Sequence, residues 1–243
     1  MQKSSSIVYF DREGNEALGD VLKILKRTFR KREDLRSHKI VFFTAVGRGP
    51  AIAYSQLEEY DPKIIAVTFP PTFTVRHGDE QVCPQIPEKI ARYFRGVGIR
   101  VITGRLPFDE IEGATTHNQE MTLITNVLSL FGGSFRHCVQ AVLQACDAGA
   151  VEPGEDVISV TGDCAAVVTA AYTKNFLAKD GGLVIREILC KPRTLNLARV
   201  RSALAAKPEQ KELLLATATA TVVEQQWSGT MALPEKGTEE KKE

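Results

Sequence analysis

Four threonines stand where short apolar runs end: Thr44, Thr68, Thr103 and Thr161. Glycine follows three of them closely, as Gly47 and Gly49, Gly104, and Gly162. If the runs are strands of a doubly wound sheet, their ends gather on the carboxyl edge, where ligands of such sheets bind. The most specific stretch is residues 39–51, KIVFFTAVGRGPA. It reads as a buried strand ending at Thr44, a short passage through Ala45 and Val46, a turn at Gly47-Arg48-Gly49, and a helix start in which Pro50 suits the first turn. Such a unit leaves N–H groups free at the helix start, and these favour an anion, typically a phosphate. Arg48 adds a charge-assisted contact in that reading, and is a plain solvent-facing arginine in the other. Threonine is also common in strands for reasons of packing alone.

The familiar phosphate motifs are absent. Nothing matches G-x-x-x-x-G-K-[ST]. The dinucleotide fingerprint fails at its third glycine, where Ile52 stands, and Thr68-Phe69 occupies the place of the expected acidic residue. A single phosphate at residues 47–51 is the reading that survives. Asp163, after Thr161-Gly162, is either a ligand-binding or acid–base carboxylate, or the cap of a following helix. Arg105 and Asp109 flank another strand end. His77 and His117 lie in or beside loops, and His77 is the second acid–base candidate; His137 is expected to be structural. No cluster has metal-ligand spacing, and there is no G-x-S-x-G.

The elements that would position these groups alternate. Residues 7–10 read as a first strand, and 17–30 as a helix with an apolar stripe at Leu18, Val21, Leu22, Leu25 and Phe29. After the opening unit, a helix runs to about Tyr60, where Asp61-Pro62 stops it. Residues 63–68 and 99–103 read as strands; 69–79 is a long loop of the kind that carries function. Residues 87–94, 118–131 and 134–149 read as helices, and 156–161 and 183–190 as strands. Residues 165–172, rich in alanine and valine, fit helix or strand. This pattern predicts one three-layer α/β/α domain over residues 1–193, with a mostly parallel sheet covered on both faces. A helical extension follows over 194–227, with helices at 196–204 and 209–226, then a disordered tail over 228–243.

Composition narrows the partners. Lys plus Arg number 31 and Asp plus Glu 30, for a net charge of +1, which gives no bulk attraction to nucleic acid or anionic membrane. The basic run at 23–36 carries acidic residues and reads as a solvated helix face. No apolar run reaches the length of a membrane span, and residues 1–6 lack a signal-peptide core. The five cysteines include no C-x-x-C pair and mostly sit in apolar surroundings, so reduced core thiols and a cytoplasmic location are expected.

Residues 40–48 (IVFFTAVGR), 63–68 (KIIAVT) and 153–162 (PGEDVISVTG) together resemble the C-terminal α/β domain of pyruvate kinase. A closer likeness is to the stand-alone, uncharacterised proteins of that superfamily. It is carried by VITG at 101–104, LFGG at 130–133, ACDAG at 145–149 and IREILCKPR at 185–193. The resemblance implies a three-layer fold without the catalytic barrel, and hence no pyruvate kinase activity. It implies a phosphate-holding loop at residues 44–49 and, from the stand-alone relatives, bound flavin mononucleotide (FMN). The chain departs from the pattern where Ala45, Val46 and Gly49 replace hydroxyl residues, and where the glycine-rich run after the late strand shortens to Gly162-Asp163-Cys164-Ala165.

Three functions follow as expectations. The first is a domain that binds a phosphorylated small molecule, FMN being the named candidate, along Thr44, Ala45, Val46, Gly47, Arg48, Gly49, Thr68, Thr103, Gly104, Arg105, Thr161, Gly162 and Asp163. The second is a flavin-dependent or phosphoester-handling enzyme using Asp163 or His77. The third is a ligand-free scaffold that forms a homo-oligomer through residues 195–226.

Overall fold

The structure is a computed structural model, and it describes residues 6–71, 73, 75–77, 80–82, 84–108, 119–132 and 134–193. In chain order the main elements are β1 (Val8–Phe10), α1 (Leu18–Lys31), β2 (Ile40–Phe43), α2 (Arg48–Leu57), β3 (Ile64–Thr68), β4 (Val75–His77), β5 (Glu80–Val82), α3 (Glu88–Val97) and β6 (Arg100–Thr103). Then come α4 (Gln119–Ser129), α5 (Phe135–Asp147), β7 (Asp156–Val160), β8 (Ala165–Thr169) and β9 (Val184–Pro192). Seven strands form one sheet in the order β1-β9-β8-β7-β2-β3-β6. β7, β2, β3 and β6 are mutually parallel, and β1 is parallel to β9; β8 runs antiparallel to both its neighbours.

Alternation along the central strands builds the layers. Ile40 and Phe42, Ile64 and Ala66, and Ile158 and Val160 join one apolar cluster with α1, α2 and α3. Val41, Ile65, Val67, Val157, Ala166 and Val168 join the other, beneath α5 and α4. Successive side chains of a strand point to opposite faces, so a strand apolar throughout needs a helix layer on each side. α1 shows why a helix fits: Leu18, Val21, Leu22, Leu25 and Phe29 are its buried residues, one stripe at helical spacing. α5 is buried nearly all round, from Phe135 to Cys146.

The sheet is mostly parallel, as expected, and it is mixed because residues 165–169, which fit helix or strand by sequence, form β8 and pair antiparallel with β7. Only the turn at residues 161–164 joins those strands, and a parallel crossover needs a dozen residues or more. The long loop after β3 carries the two-stranded antiparallel ribbon β4–β5. The helices expected at 196–204 and 209–226 and the tail at 228–243 lie outside the described residues. Among the described residues no helix is long and apolar enough to cross a membrane.

Candidate functional site at the carboxyl edge

Because β7, β2, β3 and β6 are parallel neighbours, Thr161, Thr44, Thr68 and Thr103 come in that spatial order along one edge. The four hydroxyls do not form an open ledge. Thr44, Thr68 and Thr161 are buried, and Thr103 alone is exposed. Each buried hydroxyl bonds a loop of this edge. Thr44 Oγ1 accepts from the Gly47 N–H at 3.0 Å. Thr68 Oγ1 donates to the Ala45 carbonyl at 3.4 Å. Thr161 Oγ1 accepts from the Cys164 N–H at 3.2 Å, in the turn that reverses β7 into β8. Thr44 and Thr161 thus serve as turn formers, and Thr68 ties the loop after β2 to the end of β3.

The loop after β2 is the expected strand–turn–helix. Gly47 adopts φ +83°, a left-handed conformation that costs a side chain, and it precedes Arg48 at the start of α2. A Cβ on Gly47 would lie 2.8 Å from Ile90 Cγ2 on α3. A Cβ on Gly49 would lie 2.4 Å from the Phe42 ring. The two glycines therefore let α2 sit down on β2 and α3. Arg48, which opens the helix, is half-buried, whereas Ala45 and Val46 are buried.

Asp163 is buried at 2% exposure and accepts from the Gly14 N–H at 2.8 Å, with Thr161 Oγ1 at 3.4 Å. It holds the 3-10 turn Gly14–Ala17, which leads into α1, against the β7–β8 turn. Gly162 between them is half-buried. His77 falls in β4, and its side chain, with Asp109 and His117, lies outside the described residues.

The end of β6 carries a group that sequence reasoning missed. Gln140 and Gln144 stand one turn apart on α5, 1% and 5% exposed. Gln140 Oε1 accepts from the Phe108 N–H at 2.9 Å. Gln144 has neither Oε1 nor Nε2 hydrogen-bonded. A Cβ on Gly104 would stand 2.7 Å from Gln144 Nε2, so the glycine leaves room for the amide. Leaving a buried amide unpaired costs about 1–3 kcal/mol. The place matters as well: from β3 the chain leads to α3 on one face, and from β6 to α4 and α5 on the other. Loops that diverge in this way open the crevice in which doubly wound sheets bind ligands. Thr103 and Arg105 are exposed beside it.

An apolar cover links the two ends of the edge. Ala45, Val46, Phe69 and Leu106 form a small cluster with Phe43 and Phe73 against it. Phe73 stacks on Phe69 at 4.4 Å, Phe69 meets Phe43 edge-on at 5.0 Å, and Phe43 stacks on His137 at 4.6 Å with the rings 5° from parallel. Burial pushes His137 well below its ordinary range, with Arg136 adding to the shift, so the imidazole is neutral. The edge thus combines a helix start, an aromatic surface, a neutral histidine and an unsatisfied carboxamide. A search against protein-family models finds none that matches this chain.

Proposed function

We propose that this chain is an α/β domain that binds a phosphorylated small molecule with a planar ring across the carboxyl edge, and that FMN is the ligand to test first. The observation that carries this reading is the buried, unpaired carboxamide of Gln144 beside Gly104, where the loops of β3 and β6 diverge. An amide offers one donor and one acceptor side by side, which complements the imide edge of a flavin ring. The start of α2, with Arg48, stands two strands away at the end of β2. That is a separation of about 10 Å, within the span of a ring joined to a phosphate by a short polyol. With the hydroxyls of Thr44, Thr68 and Thr161 spent on the loops, the phosphate would rest on backbone N–H groups and Arg48. The resemblance to stand-alone pyruvate kinase C-terminal-like proteins supports the same choice of ligand. Asp163, bonded to the Gly14 N–H, gives no support to an acid–base role.

The test is calorimetric titration of FMN and of riboflavin, which lacks the phosphate, alongside an absorption spectrum of the purified protein. FMN should bind more tightly than riboflavin. Arg48→Glu should remove that difference, and Gln144→Leu should weaken both ligands. Absence of heat with either flavin would overturn FMN as the ligand.

A further inference from the structure

Two amides share one face of α5. Gln140 and Gln144 stand at i and i+4, which sets their Cβ atoms about 5–6 Å apart on one side of the helix. The other residues between Cys138 and Cys146 are Val, Ala and Leu. Both glutamines reach the segment that follows β6, Gln140 at Phe108 and Gln144 at Gly104. Gln140 has a structural task there. Gln144 has none: an apolar side chain would fill its place without the cost of an unpaired amide.

The polar atoms left over form a pattern. Gln140 Oε1 is committed to the Phe108 N–H at 2.9 Å. That bond fixes which way the amide lies. It leaves Nε2, which can only donate, without a partner among the described residues. Gln144 has an acceptor and a donor free. It turns Nε2 toward Gly104, with Oε1 on the other side of the amide.

We propose that Gln140 and Gln144 together select a ligand whose ring ends in a cyclic imide, the carbonyl, N–H, carbonyl edge that flavins share with uracil. Gln140 Nε2 donates to one carbonyl. Gln144 Oε1 accepts from the imide N–H, and Gln144 Nε2 donates to the second carbonyl. Every free position of the two amides is then paired. A cytosine edge has an acceptor in place of the imide N–H and an amino donor in place of the second carbonyl. It would set acceptor against Oε1 and donor against Nε2, and a site built to hydrogen-bond an N–H rejects a ligand that lacks it. The proposal rests on the reading of this edge as a site for a phosphorylated planar ligand, and narrows it from the shape of the ring to the chemistry of its edge.

Calorimetry on the full chain with four ligands tests it: FMN, FMN methylated at the imide nitrogen, uridine monophosphate and cytidine monophosphate. Methylation removes the imide donor and keeps the phosphate, so FMN should bind at least about tenfold more tightly than its methylated form. Uridine monophosphate should exceed cytidine monophosphate by a similar factor. Gln144→Leu should bring these ratios close to one, because the acceptor for the N–H is gone. Methylated FMN as tight as FMN, cytidine monophosphate as tight as uridine monophosphate, or ratios that Gln144→Leu leaves unchanged would each overturn the imide while a phosphorylated planar ligand stands. Discrimination within the flavin pair alone supports the imide and identifies flavin as its source. Discrimination within the nucleotide pair, with no heat from FMN, supports the imide and replaces flavin with a uracil nucleotide. No heat from any of the four overturns both the imide and the reading beneath it.

Discussion

Asp163 Oδ2 accepts a hydrogen bond from the backbone N–H of Gly14 at 2.8 Å, across a sequence separation of 149 residues. The carboxylate that sequence reasoning offered as an acid–base group is thus part of the scaffold. Asp163→Ala should lower stability by about 1–3 kcal/mol, because it leaves the N–H without its partner. Asp163→Asn retains an acceptor oxygen and should cost less. Urea unfolding of both variants measures the difference; equal stability of wild type and Asp163→Ala would rule out the clamp.

Gly47 combines φ +83° with the close approach of Ile90 and Phe94. Gly47→Ala should destabilise by more than the roughly 1–2 kcal/mol of a left-handed alanine, since the new methyl also meets α3. Gly47→Ala with Ile90→Val should recover part of the loss, which a double-mutant cycle in thermal unfolding can read.

Burial holds His137 well below the ordinary 6.5 while the unfolded chain keeps the ordinary value. The unfolded state then binds the extra proton, so this residue removes stability as pH falls below about 6.5, down to the depressed folded value. The slope attributable to one group is at most about 1.4 kcal/mol per pH unit. His137→Phe preserves the stack on Phe43 and should flatten the fall in urea midpoint between about pH 6.5 and pH 5. A variant whose pH profile overlays the wild type would remove His137 from the account.

Cys138, Cys146, Cys164 and Cys190 are free and buried. Burial pushes Cys138 and Cys190 up to about 12 and Cys146 to about 11, and raises Cys164 well above its usual value. Thiolate is the reactive form, so at pH 8 these four should resist modification. A thiol reagent should label no more than the remaining cysteine, Cys83, in the native protein, and all five in denaturant. Rapid native labelling of Cys138 or Cys164 would mean that the α5–sheet interface opens readily.

Gln144→Leu should raise the stability of the ligand-free protein, by up to about 1–3 kcal/mol if leucine fills the volume of the amide, because it removes an unpaired buried group. The same substitution weakens flavin in the titration proposed above, so stability and affinity move in opposite directions. A loss of stability would show that the carboxamide has a partner in solution.

The edge is readable from residues 40–44, 63–68, 99–103 and 156–161, because an apolar run closing on threonine marks the end of a buried strand. Where those hydroxyls point is set by the turns that follow, and that is a matter of three dimensions. Residues 165–169 stayed ambiguous because alanine and valine suit a tightly packed helix as well as a strand; their antiparallel pairing with β7 decides it. Gln144 gives no signal by type alone, because glutamine in a helix suggests a solvated face. Residues 137–146 contain no Asp, Glu, Lys or Arg, and a helix so uncharged is buried all round. That pattern could have pointed to Gln140 and Gln144.

β1 pairs in parallel with β9, Val8 opposite Cys190, and the Arg193 N–H reaches the Phe10 carbonyl at 2.8 Å. On the ribosome β1 therefore emerges long before β9, its neighbour in the sheet among the described residues. Domains fold as their segments are synthesised, at about 5–20 residues per second, so β1 waits on the order of ten seconds or more with its edge unpaired. The central strands β2, β3 and β6 can assemble in that interval, which makes docking of β1 a closing event in biosynthesis. The order of synthesis and the order of assembly run in opposite directions at this edge.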